Sequence, residues 1–279
     1  MKVVVTGAGG QVGREVVDAF ARDDVIAAAH DRLDVGDRSA VMAAITSVHP
    51  DVVVHCGAWT AVDACESDPD RAWRVNALGT RNVMEAARRA GAYVLYLSTD
   101  YVFDGTKADP YVEWDAPNPA SMYGRSKWGG EQEIDPGCAI VRTSWVCGQH
   151  GPNMVKTVLR LANEHPKLSF VDDQRGHPTF AADLAPMLRT LAVSRLPGVY
   201  HVTNQGECSW YEFAAAVLAS AGADPARIQP ISTAQLQPPR PAPRPANSVL
   251  DNAALRLTGI DLLPDFHEPL AQLVRTLTR

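Results

Sequence analysis

The segment Thr6-Gly7-Ala8-Gly9-Gly10-Gln11-Val12-Gly13 constrains this chain more than any other. It follows the β-branched run Lys2-Val3-Val4-Val5 and precedes an amphipathic stretch over 12–21. Gly7, Gly10 and Gly13 repeat every third residue. The first allows a tight turn, the second lets backbone N–H groups approach a pyrophosphate, and the third permits close helix–sheet packing. The N-terminus of the helix adds a field that favours the anion. A bare turn explains a glycine triplet equally well; a strand before it and a helix after it predict a dinucleotide loop. The acidic residue expected some twenty positions on falls among His30, Asp31, Arg32 and Asp34. A carboxylate there suits a free ribose 2′-hydroxyl, and an arginine or histidine suits a 2′-phosphate, so the segment admits NADPH or NADH.

The pattern downstream extends the first strand and helix into an alternating series. Further strands are predicted over 25–29, 52–56, 93–98 and 139–142. Asp37 reads as the N-cap of a helix to about Val48, stopped by His49-Pro50. Asp68-Pro69 opens a long helix ending near Ala90-Gly91, and another helix spans 123–134. This spacing predicts right-handed βαβ crossovers and an α/β, doubly wound parallel sheet. The last third differs. Ser209-Trp210-Tyr211-Glu212 has capping-box spacing and starts a helix. Residues 236–245 hold five prolines and predict an extended surface loop bridging two packed elements. A terminal helix is expected over 265–277. Residues 1–150 are therefore expected to form mainly the dinucleotide-binding core, and 151–279 mainly a smaller C-terminal lobe, with some segments returning to the core.

Composition narrows the function classes. With 46% hydrophobic and 21% charged residues, the chain reads as a globular enzyme. Its net charge of −6 offers no basic footprint for nucleic acid. No apolar run approaches a membrane span, and the strand beginning at Lys2 leaves no room for a signal peptide. The five scattered cysteines, none at Cys-x-x-Cys spacing, fit reduced thiols in a cytoplasmic protein. Cys56, Cys138 and Cys147 fall in or beside strands as small core residues.

Tyr123 and Lys127 stand at i and i+4, on one face of their helix. A neighbouring ammonium stabilises phenolate and would lower a tyrosine pKa from about 10, making it a usable general acid/base. Ser98-Thr99-Asp100-Tyr101 ends the fourth strand, at the edge where ligands of open α/β sheets bind. The Thr99 hydroxyl is thereby expected to point at the carbonyl that Tyr123 protonates.

These features resemble the extended short-chain dehydrogenases/reductases, with Asn76 in Val75-Asn76-Ala77-Leu78-Gly79-Thr80 a further match. For Asn76, a helix-surface amide and an active-site role are equally open. More specific are Thr60-Ala61-Val62-Asp63-Ala64-Cys65-Glu66, Thr99-Asp100-Tyr101-Val102-Phe103-Asp104-Gly105, and Tyr123-Gly124-Arg125-Ser126-Lys127-Trp128-Gly129-Gly130-Glu131. With Asp173-Gln174-Arg175-Gly176-His177-Pro178-Thr179 and Arg244-Pro245-Ala246-Asn247-Ser248, they make nearly the whole chain similar to the dTDP-4-dehydrorhamnose reductase family. The resemblance implies a Rossmann fold with a sugar-nucleotide lobe, and reduction of the C4 ketone of dTDP-4-dehydro-L-rhamnose by NADPH or NADH, with NADPH slightly favoured. It implies catalytic roles for Tyr123 as proton donor, Lys127 on the nicotinamide ribose and Thr99 on the substrate carbonyl. Gly7, Gly10, Gln11, Val12, Gly13, Asp34, Val35, Ala58, Trp59, Thr60 and Leu97 would contact the cofactor, and Asp100, Tyr101 and Trp145 the substrate. Trp59 is bulkier than the family pattern. Some members dimerise through a magnesium site of glutamates; Glu15 matches one, but Ala181-Ala182-Asp183 does not supply the next. A monomer or a homodimer is therefore open.

Two other readings share the loop and the Tyr/Lys pair. Sugar-nucleotide dehydratases follow the threonine with Asp-Glu, whereas Tyr101 follows Asp100 here, and epimerases usually carry a larger lobe. A related reductase of another nucleotide 4-ketosugar would keep the same catalytic residues. An NADP-binding regulatory subunit, similar to the methionine adenosyltransferase β subunit, has no need to keep all three of Thr99, Tyr123 and Lys127.

Overall fold

A computed structural model describes residues 1–278. Val3–Val5 and Val52–Val54 are buried on both faces of their strands, which requires helices on either side of the sheet. The chain supplies them in alternation: β1 (Lys2–Thr6), α1 (Gln11–Ala19), β2 (Asp24–Ala28), α2 (Arg38–Val48) and β3 (Val52–His55). Next come α3 (Val62–Ser67), α4 (Pro69–Ala72), a widened π-type stretch at Trp73–Leu78, and α5 (Gly79–Ala90). β4 (Tyr93–Thr99), α6 (Met122–Glu131) and β5 (Ala139–Thr143) follow. The remaining chain forms β6 (Val146–Cys147), α7 (Met154–Glu164), β7 (Leu168–Val171), β8 (Arg175–Gly176), β9 (Thr179–Phe180), α8 (Ala181–Ser194) and β10 (Gly198–His201). It ends with β11 (Cys208–Ser209), α9 (Trp210–Ser220), β12 (Ile228–Ile231), α10 (Ala253–Thr258) and α11 (His267–Leu277).

Six parallel strands form the central sheet in the order β10-β5-β4-β3-β1-β2. The winding reverses at β1, between β2 and β3, and such a reversal opens a crevice at the carboxyl ends of the strands. The larger core covers both faces of this sheet and includes Leu184, Leu188 and Tyr200 from the second half. A second core joins α7, α9 and α11 through Val155, Phe213 and Leu270. Three two-stranded ribbons, β6–β9, β8–β11 and β7–β12, lie outside the central sheet.

Local signals explain the helix ends. Asp37 accepts a bond from the Ala40 N–H and His49 turns left-handed to stop α2. Ser209 and Glu212 cap α9 reciprocally. The helix expected from Asp68 to Ala90 has its cap at Asp68 and its left-handed stop at Gly91, but its interior departs from expectation. It widens at Trp73–Leu78, where Asn76 turns inward. Oδ1 of Asn76 accepts from the Trp59 N–H at 2.8 Å, while Nδ2 donates to the Trp59 carbonyl and to Ser126 Oγ. The extra residue in a π-type turn lets the amide reach the loop after β3 without ending the helix. Asn76 is thus neither a surface amide nor a groove residue but a buried clamp. Residues 236–245 follow the helical turn at Thr233–Gln235 and are irregular throughout. Arg244 fastens them to α3 by donating to Asp63 at 2.9 Å. All five cysteines are free thiols; Cys56 is half-buried and the others are buried. Among the described residues, no helix is long and apolar enough to cross a membrane.

Candidate active site

The crevice beside β1 is the mouth of a groove of about 940 Å³. Gly7 begins the loop with φ +66°, and a Cβ there would stand 2.7 Å from Gly57, so only glycine fits. Gly13 packs on the Gly7 carbonyl. Gly10, the residue before α1, caps with no side chain, and the first turn of the helix holds no acid. The early N–H groups of α1 are left without a side-chain partner at the groove, the arrangement that holds a phosphate. A dinucleotide's pyrophosphate fits this cradle. Gly7, Gly10, Gln11, Val12, Gly13, Val35, Ala58, Thr60 and Leu97 all line the groove.

A buried chain of hydrogen bonds fixes the floor of this cradle. Thr80 Oγ1 donates to the Asn76 carbonyl and therefore accepts from His55 Nε2, so His55 Nδ1 accepts from Thr6 Oγ1. Thr6 in turn accepts from the Gly57 N–H. Burial pushes His55 down to about 3, keeping it neutral as this pattern needs. Neither His55 nor Thr80 was expected from the sequence.

β4 delivers Thr99 to the carboxyl edge of the sheet, and Ser121 caps α6 by accepting from the Gly124 N–H. Tyr123 and Lys127, one turn apart on α6, are both buried and line the groove with Thr99, Asp100 and Tyr101. Lys127 Nζ donates to the Leu97 carbonyl at 2.7 Å and stands 4.1 Å from the centre of the Tyr96 ring. Burial pulls the Lys127 ammonium down to about 7, against the pull of Glu131. Burial also pushes the Tyr123 phenol above its ordinary value, with the Thr99 hydroxyl pulling it partly back. The expectation of a lysine-lowered phenol is corrected here. Lys127 is engaged with Leu97, and the dry surroundings disfavour both charged forms. A phenol held protonated is loaded to give a proton, as reduction of a carbonyl requires.

Two buried polar atoms in the groove walls have no partner: Asp100 Oδ2 and Thr143 Oγ1. Asp100 Oδ1 accepts from Thr99 Oγ1 at 2.9 Å, and burial pushes the acid up to about 6. Both residues line the groove with Tyr123, and neither atom finds a partner within the chain. Trp145 closes this end. It adopts φ +45°, and its indole stacks on Trp210 at 3.5 Å between ring centres. Trp210 sits in the sequence inside the capping motif of α9, and nothing in its spacing marks it as a groove residue. Tyr101 meets Tyr123 edge-on at 5.6 Å.

Some expected residues lie elsewhere. Asp34 is exposed, accepts from the Gly36 N–H and does not line the groove; His30 and Asp31 do. The Trp59 side chain also stays outside, beneath the Arg71 guanidinium at 4.5 Å, so it does not narrow the groove. Arg175 pairs with Glu207 and Glu212, and Arg244 with Asp63, so neither is a free cation. Ser98, Glu131 and Arg142 form a buried network below the site. No three His, Cys, Asp or Glu side chains among the described residues stand together to hold a metal ion.

A family model described as the RmlD substrate binding domain matches residues 1–279. A dTDP-4-dehydrorhamnose reductase of Streptomyces griseus is 41% identical, with 96% of this chain and 91% of that protein covered. A probable dTDP-4,6-dihydroxy-2-methyloxan-3-one 4-ketoreductase of Streptomyces antibioticus is also 41% identical, with coverage of 98% and 94%. The crystal structure of a Bacillus anthracis dTDP-4-dehydrorhamnose reductase in complex with NADP superposes with a TM-score of 0.94, at 37% identity and 99% coverage of both chains. Matched along its whole length and folded the same way, the chain belongs to the RmlD substrate binding domain family, that of the dTDP-4-dehydrorhamnose reductases.

Proposed function

We propose that this protein is an NAD(P)H-dependent reductase that converts dTDP-4-dehydro-L-rhamnose to dTDP-L-rhamnose. The convergence of Thr99, Tyr123 and Lys127 on the groove that carries the glycine loop is the observation behind this reading. Residues 1–150 would serve mainly the cofactor and 151–279 mainly the sugar nucleotide, in the cytoplasm, as a monomer or homodimer. NADPH is the favoured donor. Any magnesium at a dimer interface would have to draw ligands from a second chain.

When bound, the nicotinamide supplies the hydride that reaches C4. The chain's own groups do the rest. The N–H groups at Gln11 and Val12 would hold the pyrophosphate, the Gly10 N–H being spent on the Gly7 carbonyl, while Val35, Ala58, Thr60 and Leu97 wall the cofactor's path. Thr99, turning its hydroxyl from Asp100, orients the carbonyl, and Tyr123 gives its proton to the C4 oxygen as negative charge develops there. Lys127 holds the nicotinamide ribose and, as a cation, stabilises the phenolate left behind. Asp100 and Tyr101 face the sugar, and the Trp145 indole excludes water from its far side.

A panel of nucleotide 4-ketosugars assayed with both donors tests this. The dTDP-4-dehydro-L-rhamnose should be turned over best, and Tyr123→Phe should lower kcat by roughly 10²–10⁴-fold with cofactor affinity kept. The equal identity to the Streptomyces antibioticus ketoreductase supports a second reading, reduction of another nucleotide 4-ketosugar by the same residues. Preference for another ketosugar in the panel would replace the first reading by the second. Tight binding of NADPH without turnover of any ketosugar would reject both.

A further inference from the structure

Arg14 occupies a place that ordinary helix electrostatics disfavours. It is exposed in the first turn region of α1, near the positive end of the helix dipole, where a cation is destabilising. No carboxylate compensates. Among the described residues it makes no ion pair, and its only side-chain bond runs from Nε to the Gly9 carbonyl at 3.2 Å. The two terminal nitrogens of its guanidinium are free for an anion. Gly9 lines the groove and abuts β2: a Cβ built on it would stand 3.3 Å from the Ala29 methyl. Arg14 is thus tethered to the segment facing the end of β2, where His30 and Asp31 also line the groove.

In a dinucleotide groove of this topology, the end of β2 faces the 2′ position of the adenosine ribose. A site built for a free 2′-hydroxyl offers a carboxylate there. The expected one, Asp34, is turned away and bonded to Gly36. Asp31 remains, flanked in the chain by His30 and Arg32, all exposed. We infer that Arg14 selects NADPH over NADH by binding the 2′-phosphate of the adenosine ribose. The inference rests on the dinucleotide reading of the groove and adds a residue that the motif alone does not supply. A phosphate there would pair with the free edge of the guanidinium.

Calorimetric binding of 2′,5′-ADP and 5′-AMP isolates this contact from turnover. Wild-type protein should bind 2′,5′-ADP about tenfold or more tightly than 5′-AMP, the size of one charge-assisted contact. Arg14→Gln should bring that ratio close to one while leaving 5′-AMP affinity unchanged, and Arg14→Lys should keep part of it. The ratio should also shrink with added salt, since the contact is exposed. An undiminished ratio in Arg14→Gln, or equal weakening of both ligands, would overturn the assignment while leaving the reductase reading intact. If wild-type protein bound neither adenylate nor either dinucleotide, the groove reading would fail and this inference with it.

Discussion

Asp100 is 2% exposed and keeps one carboxylate oxygen unbonded beside Thr99. Its acid titrates near 6 in the folded chain against 3.8 ordinarily, because burial penalises the charge. Between those values the folded chain holds a proton that the unfolded chain has released, so stability falls as pH rises from about 4 to 6 and stays lower above that. Asp100→Asn removes the charge and preserves the shape. It should stabilise the fold by roughly 1–3 kcal/mol at pH 8 and by little at pH 4. Denaturant melts at the two pH values check this, and an equal gain at both would contradict it. Lys127 works in the opposite sense. With its pKa near 7 rather than 10.5, its burial is most costly below pH 7 and is relieved as pH rises toward 10. At this scale the sequence revealed Thr99, Tyr123 and Lys127 because helix spacing and the edge of the sheet announce them. It did not reveal the Asn76 clamp, whose partners lie 17 and 50 residues away, or the Glu131–Arg142 pair. Nor could spacing reveal that desolvation governs the phenol, since that depends on how deeply it is buried.

The proline-rich segment carries its information in one end. Arg244 is largely covered, pairs with Asp63 on α3, and borders a small cleft with Tyr101, Trp145, Gln174 and Trp210. Asp63 also accepts from the Ala242 N–H at 3.2 Å. Proline rings supply stiffness, but this ion pair sets where the loop lies. Arg244→Ala should therefore raise amide hydrogen exchange across 236–248 by about tenfold, with the central strands unaffected. Exchange read by mass spectrometry decides it; an unchanged rate would place the anchoring elsewhere. Substrate KM should rise with it, because the freed segment borders the cleft beside Trp145. The elements easiest to read from sequence were those with side-chain caps, at Asp37, Asp68 and Ser209. Two-residue strands such as β6, β8, β9 and β11 are too short for any periodicity, and their pairing is set by chain segments far apart. The widening in the long helix was also hidden, since its cause is a contact made across to Trp59.

Across the whole molecule, the groove is walled by both cores. The glycine loop comes from the sheet, while Trp145 and Trp210 pack against the second core. Gln11 joins the two sides, donating to the Val146 carbonyl at 2.9 Å and accepting from Asn153 Nδ2 at 2.8 Å. Asn153 also caps α7 by accepting from the Lys156 N–H. A dinucleotide in the groove would add contacts to both sides, so its binding energy should stabilise them as one unit. At 100 times Kd, NADPH adds about 2.7 kcal/mol, and at roughly 2–4 °C per kcal/mol for a chain of this size Tm should rise by about 5–10 °C. The bound protein should melt in a single transition. Asn153→Ser keeps a capping oxygen but loses the amide that reaches Gln11, so it should leave the unliganded Tm nearly unchanged and shrink the NADPH-induced rise. Calorimetric scans with and without NADPH distinguish the outcomes. Two bound-state transitions, with only the earlier one shifted, would mean that the groove draws its stability from the sheet alone and that the Gln11–Asn153 contact carries no coupling between the cores.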